Sequence, residues 1–234
     1  MKNGSDTHTR RHVVFAAGAI LLLSLTIVPA GSKTHKTSPF SAAGVTSASN
    51  IAYPVNTLAS GAVSLLLSLD GSANIQNVQV LRDSPPLTSA VQDAVQVWTF
   101  SPASLQGVPV ASEISVTAIF NIFNPAGGAA TQSLVLAPSQ PVYPDASQFM
   151  PPQITSASYA NYPANSVAQG TVVLDVTVGL AGQPKQFRVV YGAPPLTQQA
   201  INAVKTWQFN AATFKGQPVS AHIIIAFVFQ RNMS

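Results

Sequence analysis

The chain writes one phrase twice. Residues 85–100 read PPLTSAVQDAVQVWTF, and residues 194–209 read PPLTQQAINAVKTWQF. Tyr53-Pro54 recurs as Tyr162-Pro163, Gly61 as Gly170, Trp98 as Trp207, Gly107 as Gly216 and Phe120 as Phe229, each pair 109 positions apart. A constant offset, free of insertions and deletions, means duplication of a unit of about 70 residues, and both copies must satisfy one fold.

Within each repeat the hydrophobic period changes in a fixed order. Val63, Leu65, Leu67 and Leu69 alternate, as do Val172, Leu174, Val176 and Val178, which predicts a first strand with one apolar face. Asp70-Gly71 in one repeat and Gly179 to Gly182 in the other mark a turn into a second strand, completing a hairpin. Leu87, Val91, Ala94, Val95 and Trp98 then fall at helical spacing, repeated by Leu196, Ala200, Ala203, Val204 and Trp207. The double proline opens that helix, where a missing N–H costs nothing. Both tryptophans lie on the apolar stripe, so they are expected in the core. A last strand follows at 110–121 and at 219–230. The fold class expected is α+β, two tandem β-β-α-β domains after an amino-terminal apolar helix.

Charge is scarce, 8% of residues against about 25% in an ordinary globular chain, and this argues against an enzyme. The net charge of +4 arises before residue 40, where Lys2, Arg10, Arg11, Lys33 and Lys36 meet only Asp6. The rest is balanced, which argues against a nucleic-acid face. His222 stands where the first repeat has Glu113, and Asp175 where it has Leu66, so ionisable groups are not shared between the repeats. No catalytic grouping, metal-spaced cluster or phosphate-binding glycine loop is found, so neither a cofactor nor a metal is expected. With no cysteine, the chain suits any redox compartment.

Residues 1–12 form a basic lead. Residues 13–30, VVFAAGAILLLSLTIVPA, are an uncharged apolar run about 27 Å long as a helix, enough to cross a bilayer core. They are expected to be an export signal. Two outcomes stay open: a single-pass inner-membrane anchor with the bulk of the chain periplasmic, or a signal peptide cut near Ala30 that releases a soluble periplasmic protein. Residues 31–52 read as a Ser/Ala/Thr-rich linker and 124–161 as a Pro-rich one, the latter able to stretch to roughly 120 Å. The repeats themselves take residues 53–123 and 162–234.

Tyr-Pro, a Gly-Xaa-Val strand, Pro-Leu with a helix ending Ala-Val-Xaa-Xaa-Trp-Xaa-Phe, then Gly-Xaa-Pro-Val before a Phe-bearing last strand together resemble the carboxy-terminal domain of the TonB energy-transducer family. The resemblance covers residues 53–123 and 162–230. It implies an inner-membrane anchor, an ExbB/ExbD-type motor, and an end domain that grips a peptide of an outer-membrane TonB-dependent receptor for uptake of iron complexes or other large nutrients. The apolar run lacks a histidine, His12 standing only at its edge, so a non-energised periplasmic binding or scaffold module is the alternative.

An open edge strand could provide that grip, because its unpaired N–H and C=O groups accept a further strand. In the first repeat Ile114, Val116, Ala118 and Phe120 share a face while Ser115 and Thr117 leave the other one wet. The second repeat differs. Its last strand opens with Ser220, Ala221 and His222; Ile223, Ile225, Phe227 and Phe229 then face one way, and Ile224, Ala226 and Val228 make the opposite face apolar too. Such a strand is either buried on both faces or covered by a partner. Residues 220–228 are therefore the expected partner-binding edge, unless the two repeats cover each other.

Overall fold

The computed structural model describes residues 39–55, 57, 59–123, 133–134, 148–163 and 166–231. The expected anchor at 13–30 and most of the expected Pro-rich linker lie outside the described residues. Among the described residues no helix is long and apolar enough to cross a membrane.

The first repeat runs β1 (Phe40–Ser41), β2 (Gly44–Ser47), β3 (Gly61–Leu69), β4 (Ile75–Arg82), α1 (Leu87–Val95), β5 (Thr99–Ser101), β6 (Ala103–Leu105), β7 (Val108–Val110) and β8 (Ser112–Phe123). After β9 (Ser133–Leu134), the second runs β10 (Phe149–Met150), β11 (Gln153–Ser158), β12 (Gly170–Val178), β13 (Pro184–Tyr191), α2 (Leu196–Val204), β14 (Gln208–Asn210), β15 (Ala212–Phe214), β16 (Gln217–Val219) and β17 (Ala221–Arg231). The expected strand–strand–helix–strand order is present in both.

The hairpin turns share one backbone path. Ala73 N–H donates to the Asp70 carbonyl and Asp70 N–H to the Asn74 carbonyl; Gly182 and Gly179 repeat both bonds with Gly179 and Gln183 as acceptors. Each helix is only nine residues long, too short to persist without packing. Each therefore depends on its apolar stripe, and Leu87, Val91 and Val95, like Leu196, Ala200 and Val204, are fully enclosed. Trp98 and Trp207 finish those stripes in the core.

The two repeats, expected as separate domains, share one six-stranded sheet in the order β13-β12-β17-β8-β3-β4. Its hairpins are antiparallel, while the central pair β17–β8 is parallel. Ile224 sits opposite Val116 rather than its own counterpart, Ser115. This one-residue offset has a geometric cause. The strand order is mirrored about the centre, with β12 outside β17 and β3 outside β8, so these parallel equivalents are related by a rotation about an axis along them, which exchanges the two faces of the sheet. Adjacent side chains must nevertheless point to the same face, so equivalents cannot be neighbours.

It follows that α1 and α2 cover opposite faces. One core joins α1 with Val63, Leu65, Val116 and Phe120 and also takes Ile224, Ala226 and Val228 from β17. The other joins α2 with Val172, Leu174, Ile225 and Phe227 and takes Ala62 and Ile119 from the first repeat.

Candidate partner-binding interface

The strand expected to be an open edge is closed. β17 pairs with β12 along one side and with β8 along the other, and Ile223 to Val228 are buried on both faces. Ala221 is buried beside Val178, and Ser220 Oγ donates to the Val178 carbonyl at 3.1 Å. The sister strand offers the same unpaired backbone at high effective concentration, so one pairing removes two sticky edges. The apolarity of both faces of β17 reflects a central strand, and the repeats covering each other is the arrangement found. Ser115 and Thr117, expected on a wet face, are likewise buried, with Thr117 Oγ1 3.0 Å from Ser64 Oγ. The outermost strands, β4 and β13, are the rims whose far edges carry no strand among the described residues. β13 also exposes Val189 (43%) and Tyr191 (36%).

Residues 31–52 and 124–161, expected as linkers, run into folded structure. β1 pairs with β6 and β2 with β5; β10 pairs with β15 and β11 with β14. The segment before Tyr53 then crosses to the other repeat, where Ile51 N–H donates to Thr171 Oγ1 at 3.0 Å and Asn50 Oδ1 lies 2.9 Å from the same hydroxyl. In the reverse direction Asn121 Nδ2 donates to the Ala160 carbonyl at 2.8 Å. Phe40 meets Phe149 and Phe214 with ring centroids 4.7 and 4.6 Å away. A sequence signal for these segments exists: Phe40 and Phe149, and the tetrad TSAS at 46–49 and 155–158, obey the same 109-residue spacing.

Asp175 on β12 is the charged centre of the seam. Only 2% of its side chain is exposed; Arg188 Nη2 lies 2.5 Å from one carboxylate oxygen and His222 Nδ1 2.7 Å from the other. Arg188 also donates to the Val45 carbonyl, so one guanidinium ties β13 to a strand of the other repeat. These three residues with Thr177, Gln186 and Phe187 line an open cavity of about 390 Å³. The first repeat places Leu66, Gln79 and Glu113 at the equivalent positions. Among the described residues no group of three His, Asp or Glu side chains could hold a metal ion. The cluster's chemistry is that of a clamp, a buried carboxylate neutralised by a guanidinium that is itself half-exposed.

A family model described as the Gram-negative bacterial TonB protein C-terminal matches the chain twice, over residues 52–122 and 158–230. Together the matches take more than half of the sequence. The chain belongs to the TonB C-terminal family. No curated protein and no solved structure matches it.

The TonB motif residues hold one another in place. The Tyr53 hydroxyl donates to the Ala59 carbonyl, and its ring meets Phe120 edge-on at 5.6 Å. Tyr162 repeats both contacts with the Ala168 carbonyl and with Phe229 at 6.1 Å. In each TonB unit the Tyr-Pro step thus pins the loop before the first strand onto the last strand. Burial raises the phenol pKa of both tyrosines, with Arg231 partly opposing the rise at Tyr162; both phenols therefore stay protonated donors at neutral pH.

Proposed function

We propose that this chain is a TonB-like periplasmic adaptor that holds an extended segment of an envelope partner by adding it as a strand to an outer rim of the shared sheet, β13 first. One observation carries this reading. The terminal strands β8 and β17 are committed to each other, which leaves the far edges of β13 and β4 as the rims of the six-stranded sheet among the described residues. Family membership supports the periplasmic setting, and the scarcity of charge suits main-chain recognition, in which backbone bonds supply affinity and side-chain pockets the selectivity.

The partner expected from the family is a peptide of an outer-membrane receptor, with residues 13–30 as the anchor in the inner membrane. A force-transmitting role would add contact with a proton-driven motor. The closed β17 favours the non-energised form of the adaptor, because a receptor peptide entering at β17 would first have to separate the repeats.

Photo-crosslinking groups at Val189 on β13, Asn77 on β4 and Ile225 on β17, introduced in living cells, test this. Capture of an outer-membrane receptor's amino-terminal segment at Val189 and not at Ile225 is the expected result. Receptor capture at Ile225 alone would overturn the choice of rim, and no receptor at any of the three positions would overturn the adaptor. A motor subunit captured by the same chain would establish the energised form.

A further inference from the structure

The two rims of the six-stranded sheet differ in charge. β13 reads PKQFRVVY, with Lys185 and Arg188 and no acid. At the equivalent positions of β4 stand Gln76 and Gln79. The neighbouring turns widen the difference. Gln76 Nε2 donates to the Asp70 carboxylate at 3.0 Å, so the first rim carries a negative charge at this point. The second repeat has Gly179 in place of Asp70.

Both cations of β13 keep donors that the fold does not use. Lys185 is exposed, and among the described residues no hydrogen bond or ion pair holds its ammonium. It stands at a bulge, where the register with β12 passes from Gln186 to Pro184. Arg188 engages only Nη2, with Asp175 and the Val45 carbonyl. Its Nη1 and Nε remain, at the mouth of the 390 Å³ cavity. The Arg188 side chain is 53% exposed and that of Asp175 2%, so a carboxylate arriving from solvent meets the guanidinium before the buried acid. Val189, the next residue, points to the opposite face of the sheet and is itself 43% exposed.

We propose that the β13 rim selects an extended protein segment that alternates acidic and aliphatic residues. Arg188 takes one carboxylate at the cavity, Lys185 reaches a second from the bulge, and Val189 packs against the aliphatic face. A residue added directly opposite Arg188 lies about 5 Å away between Cβ atoms, within reach of such a pair. The β4 rim, with Gln76 tied to Asp70, repels the same segment. The inference rests on strand addition at β13 and names what that rim accepts.

Two synthetic peptides test it on the full chain, SVEVEVEVS and its charge-reversed form SVKVKVKVS. The glutamate peptide is expected to slow hydrogen exchange over residues 184–191 and to leave 75–82 unchanged; the lysine peptide is expected to leave 184–191 unprotected. Lys185→Gln and Arg188→Gln, which import the first repeat's residues, should each weaken the glutamate peptide about two- to fivefold. High salt should weaken it too. Neither variant should weaken the lysine peptide, whereas simple loss of structure would not distinguish the two. Should Arg188→Gln not fold, Lys185→Gln decides alone, because that side chain holds nothing in the fold. Equal protection of 184–191 by both peptides overturns the charge selection and leaves the rim. Protection by neither overturns the rim as well. Protection of 75–82 by the glutamate peptide, or an affinity that the variants leave unchanged, also overturns the proposal.

Discussion

The first and second repeats reach the same backbone by different chemistry, most sharply at the hairpin turns. In the first, the Asp70 carboxylate collects N–H bonds from Ser72, Asn74 and Gln76, and the left-handed position is filled by Ala73 at φ +65°. In the second there is no carboxylate, and the left-handed position is Gly182 at φ +80°. The surroundings decide the difference. A Cβ on Gly182 would lie 2.1 Å from the Phe209 carbonyl oxygen, so the second turn is pressed against β14 and tolerates no side chain. A duplicated fold thus keeps its path while each copy finds its own way of stabilising it.

This predicts a large asymmetry. Gly182→Ala combines a left-handed alanine, about 1–2 kcal/mol, with a collision against backbone that cannot rotate away, about 1–3 kcal/mol. The reciprocal Ala73→Gly relieves a left-handed alanine and loosens the unfolded chain, so it stays within about 1 kcal/mol. Urea unfolding of the two variants measures both. Equal midpoints would mean that the two turns are not differently packed.

What could be read from the sequence follows the same division. Period-two and helical spacing predict β3, β4, α1 and β8 with their counterparts, because each carries apolar residues at the period of its own element. The pairing of β8 with β17 was ambiguous, since apolar residues on both faces fit a central strand as well as a covered edge, and local pattern carries no information on the partner. The sequence of β1, β2, β10 and β11 reads as linker because Ser, Thr, Ala and Pro suit loops. The 109-residue spacing of Phe40 and Phe149 would have exposed them. The Asp175–Arg188 pair is local, the two standing opposite each other across the β12–β13 hairpin; the bond of Arg188 to the Val45 carbonyl is not, because only the three-dimensional seam brings those two together.

That pair sharpens the comparison at a middle scale of effect. Arg188→Ala leaves the carboxylate of Asp175 buried with His222 as its remaining partner. Losing one member of a buried pair costs about 3–5 kcal/mol, reduced here to about 2 kcal/mol because Arg188 is 53% exposed and its bond is partly screened by water. Asp175→Leu imports the first repeat's solution, Leu66. It removes the buried charge and frees a guanidinium that can turn to solvent, so stability should change by less than about 1 kcal/mol in either direction. Thermal or urea unfolding of both variants checks the order. If Asp175→Leu proved the more damaging, the pair would contribute more than the neutralisation of its own buried carboxylate.

The smallest effect separates the two turns by pH. Asp70's carboxyl is held below its ordinary value of 3.8, first by the Asn74 side-chain amide, then by the Asn74 N–H, with burial opposing and the bonds from Ser72 and Gln76 adding to the fall. A carboxyl whose pKa is lower folded than unfolded contributes stability that is fully present above the unfolded value and disappears as pH falls through the folded one. Asp70→Asn keeps an oxygen acceptor in the turn but nothing that titrates. The variant should therefore be the less stable protein at neutral pH, and the two unfolding curves should converge as the solution is taken below about pH 4. The second turn has no carboxylate to lose, so the same acid step should leave the backbone of residues 179–183 protected from hydrogen exchange while protection at residues 70–74 declines. Parallel loss at both turns would place the acid sensitivity in the shared sheet, where Glu113 and Asp175 are buried, and not in the chemistry that distinguishes the first repeat from the second.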